Sequence, residues 1–212
     1  MKKTLTFLLL AIMLLTLCCS CNNKTVDKNK TGTEEIVQDG FHYIILEDET
    51  AEIVKYDVHD YQEELEIPDK FGDHNVTVIG ESAFEGSDRL QQVKFPSHIT
   101  KIEKRAFYGS SIRIALMTSC RELISIGDEA FADCEKLVQV DISSAVTEFG
   151  VNAFGNSAAL RVLTFRGNPD SLNENAFSGM NEKVKVWTYE ENENVIKFFE
   201  DAGYSVSILP RS

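Results

Sequence analysis

Histidine and acidic side chains are the groups in this sequence that could act as a general base or bind a metal. Only His59, close to Asp57 and Asp60, has charged neighbours of the kind that a general base uses, and its polar surroundings favour a solvated surface instead. The remaining histidines, which like His59 lack Cys or Glu partners at zinc-like intervals, are His42, His74 and His98. GxSxG, P-loop and dinucleotide-binding motifs are absent. We therefore predict no catalytic residue, no metal site and no cofactor.

Two acidic runs, at residues 47–49 and 190–193, could supply oxygen ligands for calcium. Neither has the glycines and ligand spacing of an EF-hand or RTX loop, so we interpret both as solubilising surface. The net charge of −13, with 21 scattered Lys and Arg residues, is also unsuitable for nucleic acid, which requires clustered positive charge. The sequence therefore predicts neither a calcium site nor a nucleic-acid partner.

The N-terminal segment has the pattern of an export signal. Lys2 and Lys3 precede an apolar run at residues 5–17 that is too short to span a membrane comfortably, so we predict a signal peptide at residues 1–20. The CCSC sequence that ends the signal resembles bacterial lipoprotein signals, in which a cysteine after the apolar run is acylated. This resemblance implies lipidation at Cys21, with Cys19 as the alternative, and anchoring to the bacterial outer membrane or cell surface. A plain cleaved signal peptide remains the other interpretation.

The mature chain would keep two further cysteines, Cys120 and Cys134, which are too few for a disulfide framework. Cys134 lies three residues after Phe131, in a column that otherwise contains mostly serine. We expect it to be a small buried thiol.

An Ala-Phe pair recurs along the chain at separations of 23, 24, 23 and 23 residues, which is the signature of a solenoid. An apolar residue precedes each Phe by five positions. Since one repeat is too small to hold itself together, each ring is expected to pack on the rings of adjacent repeats. These five rings form a structural spine: Phe84, Phe107, Phe131, Phe154 and Phe177.

In three repeats a glycine directly follows the apolar residue that lies five positions before the Phe, namely Gly80, Gly127 and Gly150. We expect the chain to turn with positive φ at these glycines. The Ala before each Phe fits a position too crowded for more than a methyl group.

Segments such as LQQVKF, LVQVDI and LRVLTF alternate with period two and are predicted to be short strands of one parallel sheet. Their outward side chains form the candidate binding face. In the second repeat either Ala115 and Met117 point inward, or Ile112, Ile114 and Leu116 do, and residues 117–121 bulge. Taking Val93, Val140 and Leu163 as inward, the outward residues are Gln92, Lys94, Gln139, Asp141, Val162, Thr164, Lys185 and Trp187.

Residues 123–142 match the pattern I-x-x-I-G-x-x-A-F-x-x-C-x-x-L-x-x-V-x-I almost in full. This pattern resembles the BspA-like leucine-rich repeats of bacterial surface antigens. The resemblance implies a leucine-rich-repeat solenoid, mainly β with short irregular or 3₁₀ segments and a parallel sheet on one face. Within that family, the implied roles are adhesion to host matrix proteins and to other bacteria.

The predicted organisation follows the repeat. After the signal we expect a lipidated flexible tether at 21–39, an N-terminal β cap at 40–75 and five repeats of about 23 residues at 76–187. A C-terminal helix-strand cap at 188–212 contains apolar residues at helical spacing, then Gly203 as a stop.

We therefore predict a non-enzymatic cell-surface lipoprotein whose solenoid binds a protein, such as a host extracellular-matrix protein, or a glycan. The first alternative is a structural or assembly scaffold of the cell envelope. A glycan-handling accessory protein or enzyme is suggested only by the export signal and Trp187.

Overall fold

The computed structural model describes residues 34–57 and 63–210. The predicted signal peptide at 1–20, the candidate lipidation sites Cys21 and Cys19, and His59 and Asp60 lie outside the described residues. No helix in the part of the chain that is described is long and apolar enough to cross a membrane.

The described chain is built from short strands and one helix that surround a single hydrophobic core. In chain order these are β1 (Ile36–Gln38), β2 (Phe41–Ile45), β3 (Ala51–Tyr56), β4 (Glu64–Glu66), β5 (Lys70–Phe71), β6 (His74–Ile79), β7 (Gln92–Lys94), β8 (Lys101–Ile102), β9 (Ile114–Leu116), β10 (Ser125–Ile126), β11 (Gln139–Ile142), β12 (Glu148–Phe149), β13 (Val162–Phe165), β14 (Lys185–Thr188), α1 (Glu193–Asp201) and β15 (Ser205–Ile208).

Two sheets run along the solenoid. Sheet A has the order β1-β2-β3-β6-β8-β10-β12, with β5 paired to β6, and its first three strands are antiparallel. Sheet B has the order β4-β7-β9-β11-β13-β14-β15 and is parallel throughout. The chain passes from sheet A to sheet B in each coil. The predicted repeat solenoid, its N-terminal β cap and its C-terminal helix-strand cap are thereby confirmed.

Sheet A continues through the repeats, although the sequence predicts one sheet only. Its strands there are formed by the apolar column before each Phe, and β8, β10 and β12 contain two residues each. A two-residue strand has no alternation of its own, so periodicity does not reveal it.

Two strands lie within segments that the sequence assigns to the tether and to the N-terminal cap. β1 lies inside the predicted tether at 21–39 and pairs with β2, although all three of its residues are exposed. β4 lies inside the predicted N-terminal cap at 40–75, yet it already stacks on β7 as part of sheet B. Both strands are three residues long, and backbone pairing assigns each of them to its sheet.

The five phenylalanines form the continuous column that the repeat predicts. Adjacent ring centroids are 4.8, 5.0, 5.3 and 5.6 Å apart, with interplanar angles of 5° or less. All five rings are buried. Burying each ring contributes about 1.5–3 kcal/mol, so the column is a major source of coil-to-coil cohesion.

The prediction of positive φ at Gly80, Gly127 and Gly150 is wrong, because none of them lies in that region. Each instead approaches the backbone of the preceding coil. A Cβ at Gly127, for example, would lie 2.7 Å from the backbone nitrogen of Lys104. Positive φ occurs instead two residues before the Phe in four coils and two residues after it in all five: Ser82, Arg105, Glu129 and Asn152, then Gly86, Gly109, Asp133, Asn156 and Gly179.

The second repeat adopts the register in which Ala115 and Met117 point inward; both are fully buried. Ile112 is buried just before the strand, at the position that Leu90 has in the first repeat. It follows Phe107 by five residues, whereas Leu90 follows Phe84 by six. Leu116 consequently points outward and is 40% exposed.

Candidate binding surface

The side chains of sheet B that point away from the core form a surface that we call the outer face. Strand register arranges them in two columns that run along the solenoid. Between the columns lies a row of inward, buried residues that includes Val93, Val140 and Leu163. The first column is Glu64, Gln92, Ile114, Gln139, Val162, Lys185 and Ser205, and the second is Glu66, Lys94, Leu116, Asp141, Thr164, Trp187 and Ser207.

The structure places all eight predicted face residues in these columns, but their accessibility differs. Gln92, Lys94 and Lys185 are exposed, whereas Gln139, Val162 and Trp187 are half-buried. Asp141 and Thr164 are each only 7% exposed. These last two therefore offer little surface to a partner.

The burial of Asp141 is explained by Arg166, which sequence reasoning did not single out. The Arg166 guanidinium donates two hydrogen bonds to the Asp141 carboxylate, from Nε and Nη2, each 2.8 Å long. A third, from Nη1 to the Tyr189 hydroxyl, is 3.4 Å long. The bonds to Asp141 raise the pKa of Arg166 above its usual value. Arg166 thus ties three neighbouring coils together.

The middle of the outer face is apolar. Leu116 is exposed, and Ile114 and Val162 lie half-buried in the first column, separated only by Gln139. Sequence reasoning left Ile114 and Leu116 unassigned because the register of the second repeat was open. The sequence shows that this repeat is shortened before its strand and lengthened after it, but either register fits that spacing.

The N-terminal end of the face is acidic. Glu66 forms an ion pair with Lys94, but Glu63 and Glu64 form none among the described residues. A shallow open cavity of about 250 Å³ lies here, lined by Glu63, Glu64, Gln91, Gln92, Arg113 and Ile114. At the other end of the face, Lys185 is exposed next to Trp187.

Two thiols and one acidic run with potential chemistry lie elsewhere in the described chain. Burial raises the pKa of Cys120 and of Cys134 to about 11, so both free thiols stay protonated at neutral pH. Asp48, in the first acidic run, accepts hydrogen bonds from the backbone nitrogen and hydroxyl of Thr50 and shapes a turn. Within residues 34–57 and 63–210, no three His, Cys, Asp or Glu residues are grouped so that they could hold a metal ion.

Comparison with known proteins agrees with this geometry. A family model for the BspA type leucine rich repeat region, in six copies, matches residues 59–184. No curated protein matches the sequence.

Crystal structures with the same fold include the following two. A leucine rich cell surface protein from Faecalibacterium prausnitzii A2-165 is 22% identical, with a TM-score of 0.58 over 74% of this chain and 45% of that one. The pneumococcal vaccine antigen PcpA is 16% identical, with a TM-score of 0.59 over 84% of this chain and 48% of that one. The chain spans about half the length of these two proteins, and at such identities the likeness shows the fold alone.

Proposed function

Because the chain belongs to the BspA type leucine-rich repeat family, we propose that it is a non-enzymatic interaction module whose partner docks on the outer face of sheet B. The observation that carries this proposal is the exposed aliphatic side chain of Leu116 at the centre of a mostly polar face. An apolar centre with a polar rim is the usual anatomy of a recognition surface. Ile114 and Val162 extend that centre along the first column.

The family resemblance supports a partner among host extracellular-matrix proteins or glycans. We would test the full chain, purified in mild detergent, on immobilised panels of both. Leu116→Lys places a charge at the centre of the face and should weaken binding at least about tenfold, as expected of a central contact. Ile124→Lys, at an aliphatic residue that is 50% exposed beside sheet A, is the matched control and should bind within about twofold of wild type. Equal binding by Leu116→Lys and wild type would contradict the proposal.

We further propose that the protein is an exported lipoprotein, anchored through Cys21 and displayed at the cell surface. The cationic and apolar N-terminal pattern supports export, and the Faecalibacterium relative is described as a cell surface protein. Cys21→Ala should release the protein from membranes, whereas Cys19→Ala should not. Protease added to intact cells should degrade the wild-type protein. Full protection would favour an internally facing envelope scaffold instead.

A further inference from the structure

The two ends of the outer face carry opposite charge, and its middle is apolar. Along the first column, Glu64 stands at one end, Ile114 and Val162 lie in the middle, and Lys185 is next to last, followed by the uncharged Ser205. From this order we infer that the partner is a protein segment with an apolar centre between a basic end and an acidic end. The inference rests on the function proposed above and names the class of partner.

The acidic end is built to receive a basic side chain. The Lys94 ammonium is already paired with Glu66, which leaves Glu63 and Glu64 as carboxylates without an ion pair among the described residues. Both line the 250 Å³ cavity together with Gln91, Gln92 and Arg113, so the cavity has two negatively charged residues and one positively charged residue. A Lys or Arg side chain of the partner would meet two carboxylates there, together with amide oxygens that accept hydrogen bonds.

The other end of the face carries positively charged side chains that are not paired with a carboxylate among the described residues. Lys185 is exposed and forms no ion pair in the part of the chain that is described. The neighbouring Arg161 guanidinium donates to the backbone oxygens of Ala158 and Leu160, so no carboxylate offsets its charge within the same residues. The Asp141 carboxylate does not offset either charge, because Arg166 already neutralises it. An acidic side chain of the partner is the complement of this end.

The distance between the two charged ends of the face, together with their opposite charge, favours a peptide over a glycan. The face crosses six strands from β4 to β14, which at about 4.8 Å per strand spacing is roughly 24 Å. That separation is about three Debye lengths at physiological ionic strength, so the two ends act on a ligand independently. A repeating glycan presents the same set of groups in every repeat unit, so it does not place one charge at one end and the opposite charge at the other. A polypeptide readily places opposite charges and an aliphatic centre in a defined order, and about seven extended residues cover 24 Å at about 3.3 Å each.

A random twelve-residue peptide library displayed on phage tests the inference directly on the full chain. Selection on wild type, with removal of phage that also bind Leu116→Lys, should enrich peptides with an aliphatic or aromatic centre between Lys or Arg and Asp or Glu, in one chain order. The same peptides should bind Ile124→Lys. The double variant Glu64→Lys, Lys185→Glu should enrich the reverse charge order.

Three outcomes would overturn the inference: no enrichment over Leu116→Lys, enriched peptides without opposite ends, or an unchanged order on the double variant. A glycan that binds wild type and is lost in Leu116→Lys would overturn the inference and leave the proposed function intact. If no peptide, matrix protein or glycan binds, both fail. Circular dichroism of each variant excludes unfolding as the cause.

Discussion

At the scale of single residues, His42 is bound by two carboxylates at once. Its Nδ1 lies 2.5 Å from Glu35 Oε1, and its Nε2 lies 2.8 Å from Asp57 Oδ2. Only the protonated imidazolium can donate from both nitrogens. Burial acts to lower the pKa of His42, but the hydrogen bonds to Glu35 and Asp57 outweigh it, and the pKa is raised above 6.5. Lys55 also pairs with Asp57.

This contact predicts a pH dependence at the N-terminal edge of sheet A. Because the native pKa of His42 is raised, its stabilisation is fully present below the unfolded value of about 6.5 and is lost as pH rises through the native pKa. Glu35 directly precedes β1. The amide exchange rates of Ile36–Gln38, corrected for the intrinsic rate, should therefore increase as the pH rises through the native pKa of His42. Glu35→Gln should lower the His42 pKa in an NMR titration. A wild-type His42 that titrates at or below 6.5 would contradict the prediction.

At the scale of elements, adjacent coils pack so closely that glycine is required where the backbone of one coil touches the backbone of the next. A Cβ at Gly150 would overlap the backbone nitrogen of Asp128 in the preceding coil, and backbone cannot move aside cheaply. Gly86 differs, because it has positive φ and a Cβ at this position would meet no atom within 4 Å. Asn156 already occupies the equivalent position in a later coil with φ of 55°.

We therefore expect Gly150→Ala to lower the free energy of unfolding by about 1–3 kcal/mol or more, as overpacking does. Gly86→Asn is the matched control and should cost no more than about 0.5–1 kcal/mol, because Asn tolerates the left-handed region. Urea unfolding followed by circular dichroism measures both. Equal losses in the two variants would mean that conformation, rather than coil-to-coil contact, sets the need for glycine at residue 150.

Some of the elements can be predicted from the sequence, and others depend on contacts that the sequence pattern does not reveal. The Ala-Phe period locates the ring column and the strands of sheet B, and helical spacing of apolar residues locates α1. The two-residue strands of sheet A and the reason for the glycines depend on contacts between coils, which are not encoded within one repeat. The register of β9 depended on a single missing residue before Ile112. Arg166 was missed because a lone arginine after a strand resembles any surface charge.

At the scale of the whole molecule, the stacked rings and the two caps bury the apolar side chains of the core. The outer face of sheet B remains as a long, exposed surface with its own apolar centre. A solenoid of this kind offers a partner many contacts in a fixed geometry, because each coil is held by its neighbours. Under the proposed function, a partner would recognise the order of side chains along the columns rather than a deep pocket.

The central claim is that a partner binds on the outer face of sheet B, and methyl NMR on the protein with and without its tightest partner tests it most directly. Ile114, Leu116 and Val162 should show large changes in chemical shift or intensity. Ile124 and Val151, which are 50% and 46% exposed but lie outside sheet B, should not change. Changes confined to Ile124 and Val151, with the three outer-face methyls unaffected, would contradict the account.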